Sequence, residues 1–251
     1  MQRLTGLHVV TEALRARRRE LHRLVVARPP RPAAERVMTL AQSLGVPVAW
    51  VEGKTLAEHS PHGEGSRSPS RAQGVVLEAG PLPELGLDEI VALAGPGRCV
   101  VALDGVEDPQ NLGAVARAAE GAGVRALLLP KHRSAPLSPA ASRASAGALE
   151  HLLVCRVPNL ARALAALQAK SFWTLGADAE GGDSLFDAPD RLFEGDVVVV
   201  LGAEGRGIRP GVGRHLDHRV RIPMRGRVAS LNVGAAAAVV LFELARRRAR
   251  A

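Results

Sequence analysis

The chain has 251 residues, 47% of them hydrophobic, with a formal net charge of +8. No run of about 18 apolar residues occurs, so no membrane-spanning helix is expected, and Met1-Gln2-Arg3-Leu4-Thr5 lacks the charged-then-apolar layout of a signal peptide. Two cysteines, Cys99 and Cys155, each in an apolar stretch, supply neither a disulfide framework nor a zinc site, so a cytoplasmic protein with buried thiols is expected.

In chain order, residues 6–18 read as a helix, 21–27 as a strand, 32–44 as a helix closed by Gly45, 46–51 as a strand, and 74–78 as a further strand. Residues 59–73, rich in His, Ser, Pro and Gly, read as a mobile loop. Together these make a small α/β domain over 1–78. Turn residues bracket an amphipathic piece, Leu87–Ala94, so 79–97 reads as a linker. From 98 to 251 strands and helices alternate: strand 99–103, helix 109–121, strand 124–129, helix 138–148, strand 151–155, helix 159–170, strands 171–176 and 197–201, and helix 232–248. Such alternation predicts a parallel sheet covered on both faces.

Arginine supplies 30 of the 33 basic residues. A GC-rich coding sequence and phosphate binding both account for that bias. The distribution is uneven: residues 1–79 hold 12 basic and 7 acidic residues, and residues 80–251 hold 21 and 18. Aromatic residues are scarce, which argues against base stacking as the main mode of recognition. The terminal run Arg246-Arg247-Arg248-Ala249-Arg250 suits the C-terminal end of a helix dipole, or an RNA contact. The eight histidines form no ligand-like cluster, so no metal is expected.

Three stretches carry the chemistry. In the first, Asp104 to Gly113, a strand runs into a helix with Asp108 as N-cap and Pro109 at the first helical position. Asn111 lies in its first turn, as polar filler or as a site group, and Arg117 follows among small residues that leave its guanidinium open. The second, Leu201-Gly202-Ala203-Glu204-Gly205-Arg206-Gly207, follows the apolar run Val197–Val200. Its glycines let the backbone approach a ligand closely, and the spacing fits neither the dinucleotide fingerprint nor the P-loop. Glu204 is either a hydrogen-bond acceptor or a solvated charge. The third, Ile222-Pro223-Met224-Arg225-Gly226 with Ser230-Leu231-Asn232-Val233, opens the last helix, where Ser230 and Asn232 serve as caps or as site groups. Two bare main-chain loops side by side suggest a pocket that grips a nucleoside by its edges.

In order and spacing, these stretches resemble the three motifs of the SpoU (TrmH) branch of the SPOUT RNA methyltransferases. The N-terminal part, through Gly6–Leu14 and Gln73–Leu77, is similar to the ribosomal-protein-like substrate-binding domain of the subgroup that methylates a guanosine 2′-hydroxyl in large-subunit (23S) rRNA. Two positions depart from the pattern: Ala72 replaces a His, and Gly234 stands where a Ser often follows Asn-Val.

The resemblance implies an α/β fold with a trefoil-knotted methyltransferase domain at 98–251 and an RNA-binding domain at 1–78. It implies S-adenosylmethionine as cofactor, held largely by main chain at Leu201, Gly202, Ile222, Met224 and Leu231, with Gly207 in the same loop. It implies a homodimer packed through the knot. Arg117, Asn111, Glu204, Ser230 and Asn232 are the implied catalytic set, with Arg117 orienting the hydroxyl and stabilising developing charge. Alternatives are a tRNA or other-site rRNA 2′-O-methyltransferase of the same family, and a non-catalytic RNA-binding assembly factor.

Overall fold

The computed structural model describes residues 1–53, 55–56, 73–93, 97–179 and 181–249. The loop expected at 59–73 lies, apart from Gln73, outside the described residues, as do Ala72 and Arg250. The chain divides into two compact units, Met1–Pro83 with Leu137–His151, and Glu84–Pro136 with Leu152–Ala251.

The first unit has a four-stranded sheet of β1 (Gln2–Thr5), β2 (Leu21–Arg28), β3 (Val48–Glu52) and β4 (Val75–Ala79), in the order β1-β4-β2-β3. Helices α1 (Leu7–Ala16) and α2 (Pro32–Ser43) bury Val10, Leu14, Val37 and Ala41 with Leu24, Val26 and Leu77 of the sheet. Strand β1 was not anticipated, because four residues with a single strongly apolar side chain show no period. The two stretches that carry the N-terminal resemblance meet here. The Leu7 amide donates to Gln73 Oε1 at 2.9 Å, and Gln73 and Gly74 both have positive φ, 52° and 88°.

Residues 137–151 correct the expected alternation. The helix anticipated over 138–148 is a shorter α5 (Pro139–Ala144) followed by a single 3-10 turn, Ala148–Glu150. Both belong to the first unit. Arg19 explains why. Its guanidinium is fully buried and needs a carboxylate. Glu150, equally buried, supplies one at 2.6 Å from Nε, while Ser142 Oγ donates to Glu150 Oε1 at 2.8 Å and the Gly80 carbonyl accepts from Arg19 at 3.0 Å. Gly147, at φ 93°, lets this segment pass Glu12, whose Cβ would lie 2.7 Å from any added Cβ.

The second unit holds a seven-stranded, all-parallel sheet in the order β7-β6-β5-β10-β8-β11-β9. Its strands are β5 (Cys99–Asp104), β6 (Ala126–Pro130), β7 (Leu153–Val157), β8 (Trp173–Ala177), β9 (Asp183–Ser184), β10 (Val197–Gly202) and β11 (His218–Arg221). The run Val197–Val200 is wholly buried at the sheet centre, as a strand covered on both faces requires. The helices are α3 (Leu87–Leu93), α4 (Pro109–Gly121), α6 (Leu160–Gln168), the short α7 (Pro210–Gly213) and α8 (Val233–Arg248). Within the expected linker, Ile90 of α3 is part of this unit's core. Helices α4 and α8 pack on each other through small residues: an added Cβ on Gly234 would lie 2.5 Å from the Ala114 Cβ.

The arginines ending α8 are used internally. Arg247 donates to the carbonyls of Ala188 and Leu185 at 2.5 and 3.0 Å, and Arg248 donates to those of Phe193 and Gly195 at 2.8 and 2.6 Å. Arg246 and Arg247 together hold the Glu243 carboxyl down at about 2. Arg247 and Arg248 tie α8 to the segment before β10, which the dipole argument alone does not show.

Candidate active site

In an all-parallel sheet every strand ends on the same edge, and ligands bind there, where the strand order reverses. Here β5 leads outward through β6 and β7, while the chain returns on the other side through β8, β10 and β11. The three sequence motifs are the segments that leave β5, β10 and β11 at that edge.

After β5, Asp108 caps α4 by accepting the Gln110 amide at 2.9 Å, with Pro109 at the first position, as anticipated. This places Asn111 in the first turn. After β10, the loop turns sharply. Gly205 and Gly207 have φ of 75° and 59°, and the Gly207 amide donates to the Ala203 carbonyl at 2.9 Å. A Cβ on Gly202 would overlap the Gly207 carbonyl group and come within 2.5 Å of the Ile208 nitrogen, so the loop closes only over glycine. The fold buries Asp104 completely and turns it into an anchor: Arg209 donates from its backbone amide at 2.8 Å and from Nε at 2.7 Å. That hydrogen bond holds the Arg209 guanidinium above its ordinary value. The clamp was not anticipated, although Asp104 and the loop were both singled out. After β11, residues 222–232 return to the same edge, and α8 begins.

Three side chains meet there. Asn111 Nδ2 donates to Glu204 Oε1 at 3.2 Å, and Asn232 Nδ2 donates to Asn111 Oδ1 at 3.0 Å and also to Glu204 Oε1. The Val233 amide points at the same Glu204 oxygen, 3.4 Å away. Glu204 is therefore an acceptor and not an idle charge. Asn232 is more than a cap: its Oδ1 accepts the Gly234 amide at 2.9 Å while its own amide donates to Glu204.

Beside this triad lies a cleft of about 570 Å³, within the range of about 300–1,000 Å³ typical of small-molecule sites. Leu201, Gly202, Gly207, Ile222, Met224 and Leu231 all line it, and so do Glu204 and Ser230. Met224 and Leu231 keep 38% and 36% of their surface exposed, which gives the cleft apolar patches free to cover a ligand. Eight of its nineteen lining residues are glycine or alanine, whose small side chains leave the backbone within reach. Such a cradle fits S-adenosylmethionine: peptide groups for an adenosine edge, apolar side chains for its faces.

Arg117 stands apart from the cleft. It is exposed on α4, does not line the cavity, and has no hydrogen-bond or ion-pair partner among the described residues. It follows Asn111 by six residues, about 9 Å along the helix axis and on a different face. Among the described residues no group of His, Cys, Asp or Glu is arranged to hold a metal ion, and no helix is long and apolar enough to cross a membrane.

A parallel sheet with a peptide-lined cleft at its C-terminal edge is the architecture of an α/β enzyme with a nucleotide-like ligand. Residues 98–242 match the SpoU rRNA methylase family, and residues 3–85 match the RNA 2′-O ribose methyltransferase substrate-binding family. The chain belongs to the SpoU rRNA methylase family. It is 36% identical to the 23S rRNA (guanosine-2′-O-)-methyltransferase RlmB of Pseudomonas aeruginosa, over 98% of this chain and 97% of that protein. It is also 36% identical to the RlmB protein of Ralstonia nicotianae, over 98% and 95%. Among solved structures, the AdoMet-bound rRNA methyltransferase from Sinorhizobium meliloti matches with a TM-score of 0.77 at 25% identity, covering 98% of this chain and 87% of that one.

Proposed function

We propose that this protein methylates the ribose 2′-hydroxyl of a guanosine in 23S rRNA, using S-adenosylmethionine, as a cytoplasmic homodimer. The observation that carries the reading is the meeting of Asn111, Glu204 and Asn232 at the mouth of a cleft lined by all six residues assigned to the cofactor. Its support from relatives is the full-length similarity to proteins named for that reaction.

When bound, S-adenosylmethionine would supply an electrophilic methyl group with its thioether as leaving group, and the proton of the attacking hydroxyl would pass to solvent. The loop from Leu201 to Gly207 and the segment from Ile222 to Leu231 bind the cofactor and exclude water from one side. Glu204, already accepting from Asn111 and Asn232, fixes the two amides so that their remaining groups orient the ribose. Ser230 offers a hydroxyl in the same wall. Arg117 orients the attacking hydroxyl and its neighbouring phosphate and stabilises the negative charge that grows on the oxygen. A guanidinium holds its proton in proteins, so Arg117 is not the base.

In this reading Arg117 serves the cleft of a second copy. Its exposure without a partner, and the exposed Phe242 packed 3.5 Å from the Cβ position of Gly121 one turn further along α4, support a subunit contact on the α4–α8 surface. In the same reading the domain at 98–251 holds a trefoil knot, and the domain at 1–78 binds the RNA.

The test is incubation with unmodified 23S rRNA and methyl-labelled cofactor, followed by nuclease mapping. Label on a guanosine 2′-oxygen is the expected result. Label on a base, or none, contradicts the reading.

A further inference from the structure

A second cavity lies on the same edge of the parallel sheet, at the ends of β6 and β7. It has a volume of about 370 Å³, and its walls include His132 and Arg133, the first turn of α6, and Arg209. None of its lining residues is acidic. Arg209 already spends its Nε and one terminal nitrogen on Asp104. His132 and Arg133 are exposed and have no hydrogen-bond or ion-pair partner among the described residues. Lys131, also exposed, precedes them. Arg133 has φ of 56°, a left-handed conformation that residues other than Gly, Asn and Asp rarely adopt and that tends to mark functional positions. The loop is held in this form from both sides: the Lys131 amide donates to the Val157 carbonyl, and the Ala135 amide donates to the Val106 carbonyl, each at 2.8 Å.

The sheet order places this cavity relative to the reaction. Read along the edge, the basic cavity lies at β7 and β6, the Asn111–Glu204–Asn232 triad at β5 and β10, and the cofactor cleft at β10, β8 and β11. Ile208 lines the cofactor cleft and its neighbour Arg209 lines the basic cavity, so consecutive residues face the two. A strand whose ribose sits at the triad and that runs along this edge would pass this cavity on the side away from the cofactor.

We propose that this pocket takes a nucleotide of the RNA substrate flanking the methylated one, and that Arg133 and His132 grip its phosphate. The first-turn amides of α6, beside the Asn159 cap, add donors on the far wall. The assignment rests on the proposed RNA methyltransferase activity and adds to it a residue that fixes strand direction. The contact is to phosphate, so it sets register and affinity without reading sequence.

The test uses the full-length enzyme and a fluorescent, unmodified fragment of 23S rRNA, titrated at several salt concentrations. Arg133→Gly removes the guanidinium and suits the positive φ, so the fold is not put at risk; His132→Ala is the second variant. For Arg133→Gly we expect RNA affinity to fall about tenfold and the slope of log K against log salt to shrink by about one. His132→Ala should show a smaller loss, and cofactor affinity by calorimetry should match wild type in both. Wild-type affinity and slope in Arg133→Gly would overturn the assignment. A parallel loss of cofactor affinity would also overturn it, since the effect would then be structural. Failure of the wild-type enzyme to methylate RNA would instead sink the parent reading, and the occupant with it.

Discussion

The side-chain amide of Asn232 lies 3.0 Å from Asn111 Oδ1, joining residues 121 positions apart, while its own oxygen caps α8 on the Gly234 amide. One side chain thus begins the last helix and closes the polar triad with Glu204. Replacement by serine separates the two tasks. Serine caps a helix about as well as asparagine, but it has no amide to donate to Glu204. Asn232→Ser should keep its melting temperature within about 3 °C of wild type and lose methyl transfer by roughly 10- to 100-fold, the range for a lost positioning or electrostatic group. Thermal denaturation and steady-state methylation measure the two effects.

Gly202→Ala tests the cofactor loop. The added methyl overlaps the Gly207 carbonyl, and backbone cannot yield as a side chain tip does. The loop must open, which moves Leu201 and Gly207 in the cleft wall. Calorimetry should show S-adenosylmethionine binding weakened at least about tenfold, a cost of about 1.4 kcal/mol.

Gly234 stands where a Ser often follows Asn-Val, and the structure gives a packing reason for the glycine: the Ala114 Cβ of α4 sits 2.5 Å from where a Gly234 Cβ would lie. Gly234→Ser should therefore destabilise the protein by about 1–3 kcal/mol through overpacking. Ala114→Gly in the same chain should restore most of that loss, as followed by denaturant unfolding.

Burial pushes the Cys155 thiol up to about 11 and the Cys99 thiol up to about 12, the latter in spite of Arg248 nearby. At pH 8 at most about one part in a thousand of either is thiolate, so iodoacetamide should label neither until the protein is denatured. The raised values also set an alkaline limit. The unfolded thiols ionise near 9.0. This burial costs no stability below that pH, and stability falls as pH climbs from about 9 toward 11–12 because the unfolded chain loses its protons first. Mass spectrometry of alkylated protein and unfolding curves at pH 8 and 10 check both points.

The strands with long apolar runs, such as Val197–Val200, were legible because complete burial leaves only apolar side chains on both faces. Strand β11 was not: His218-Arg219-Val220-Arg221 buries one side chain, Val220, and its charged neighbours read as loop. The attachment of residues 137–151 to the first unit was hidden for a related reason. Arg19 sits in a run of three arginines that reads as solvated helix end, and nothing local shows that it is buried against Glu150. At the site, the motifs named residues that the fold brings together, yet spacing alone does not show that Asn111, Glu204 and Asn232 bond to one another. It also does not show that Asp104 clamps the loop through Arg209. Those relationships come from loops leaving adjacent strands, which only the sheet order supplies.

The account turns on Arg117 acting on the ribose while the peptide-lined cleft alone holds the cofactor. The direct measurement is Arg117→Ala, assayed for S-adenosylmethionine affinity by calorimetry and for single-turnover methylation of 23S rRNA. The account predicts an unchanged dissociation constant and a rate lower by about a hundredfold or more. Near-normal methylation, or loss of cofactor binding in step with the rate, would contradict it.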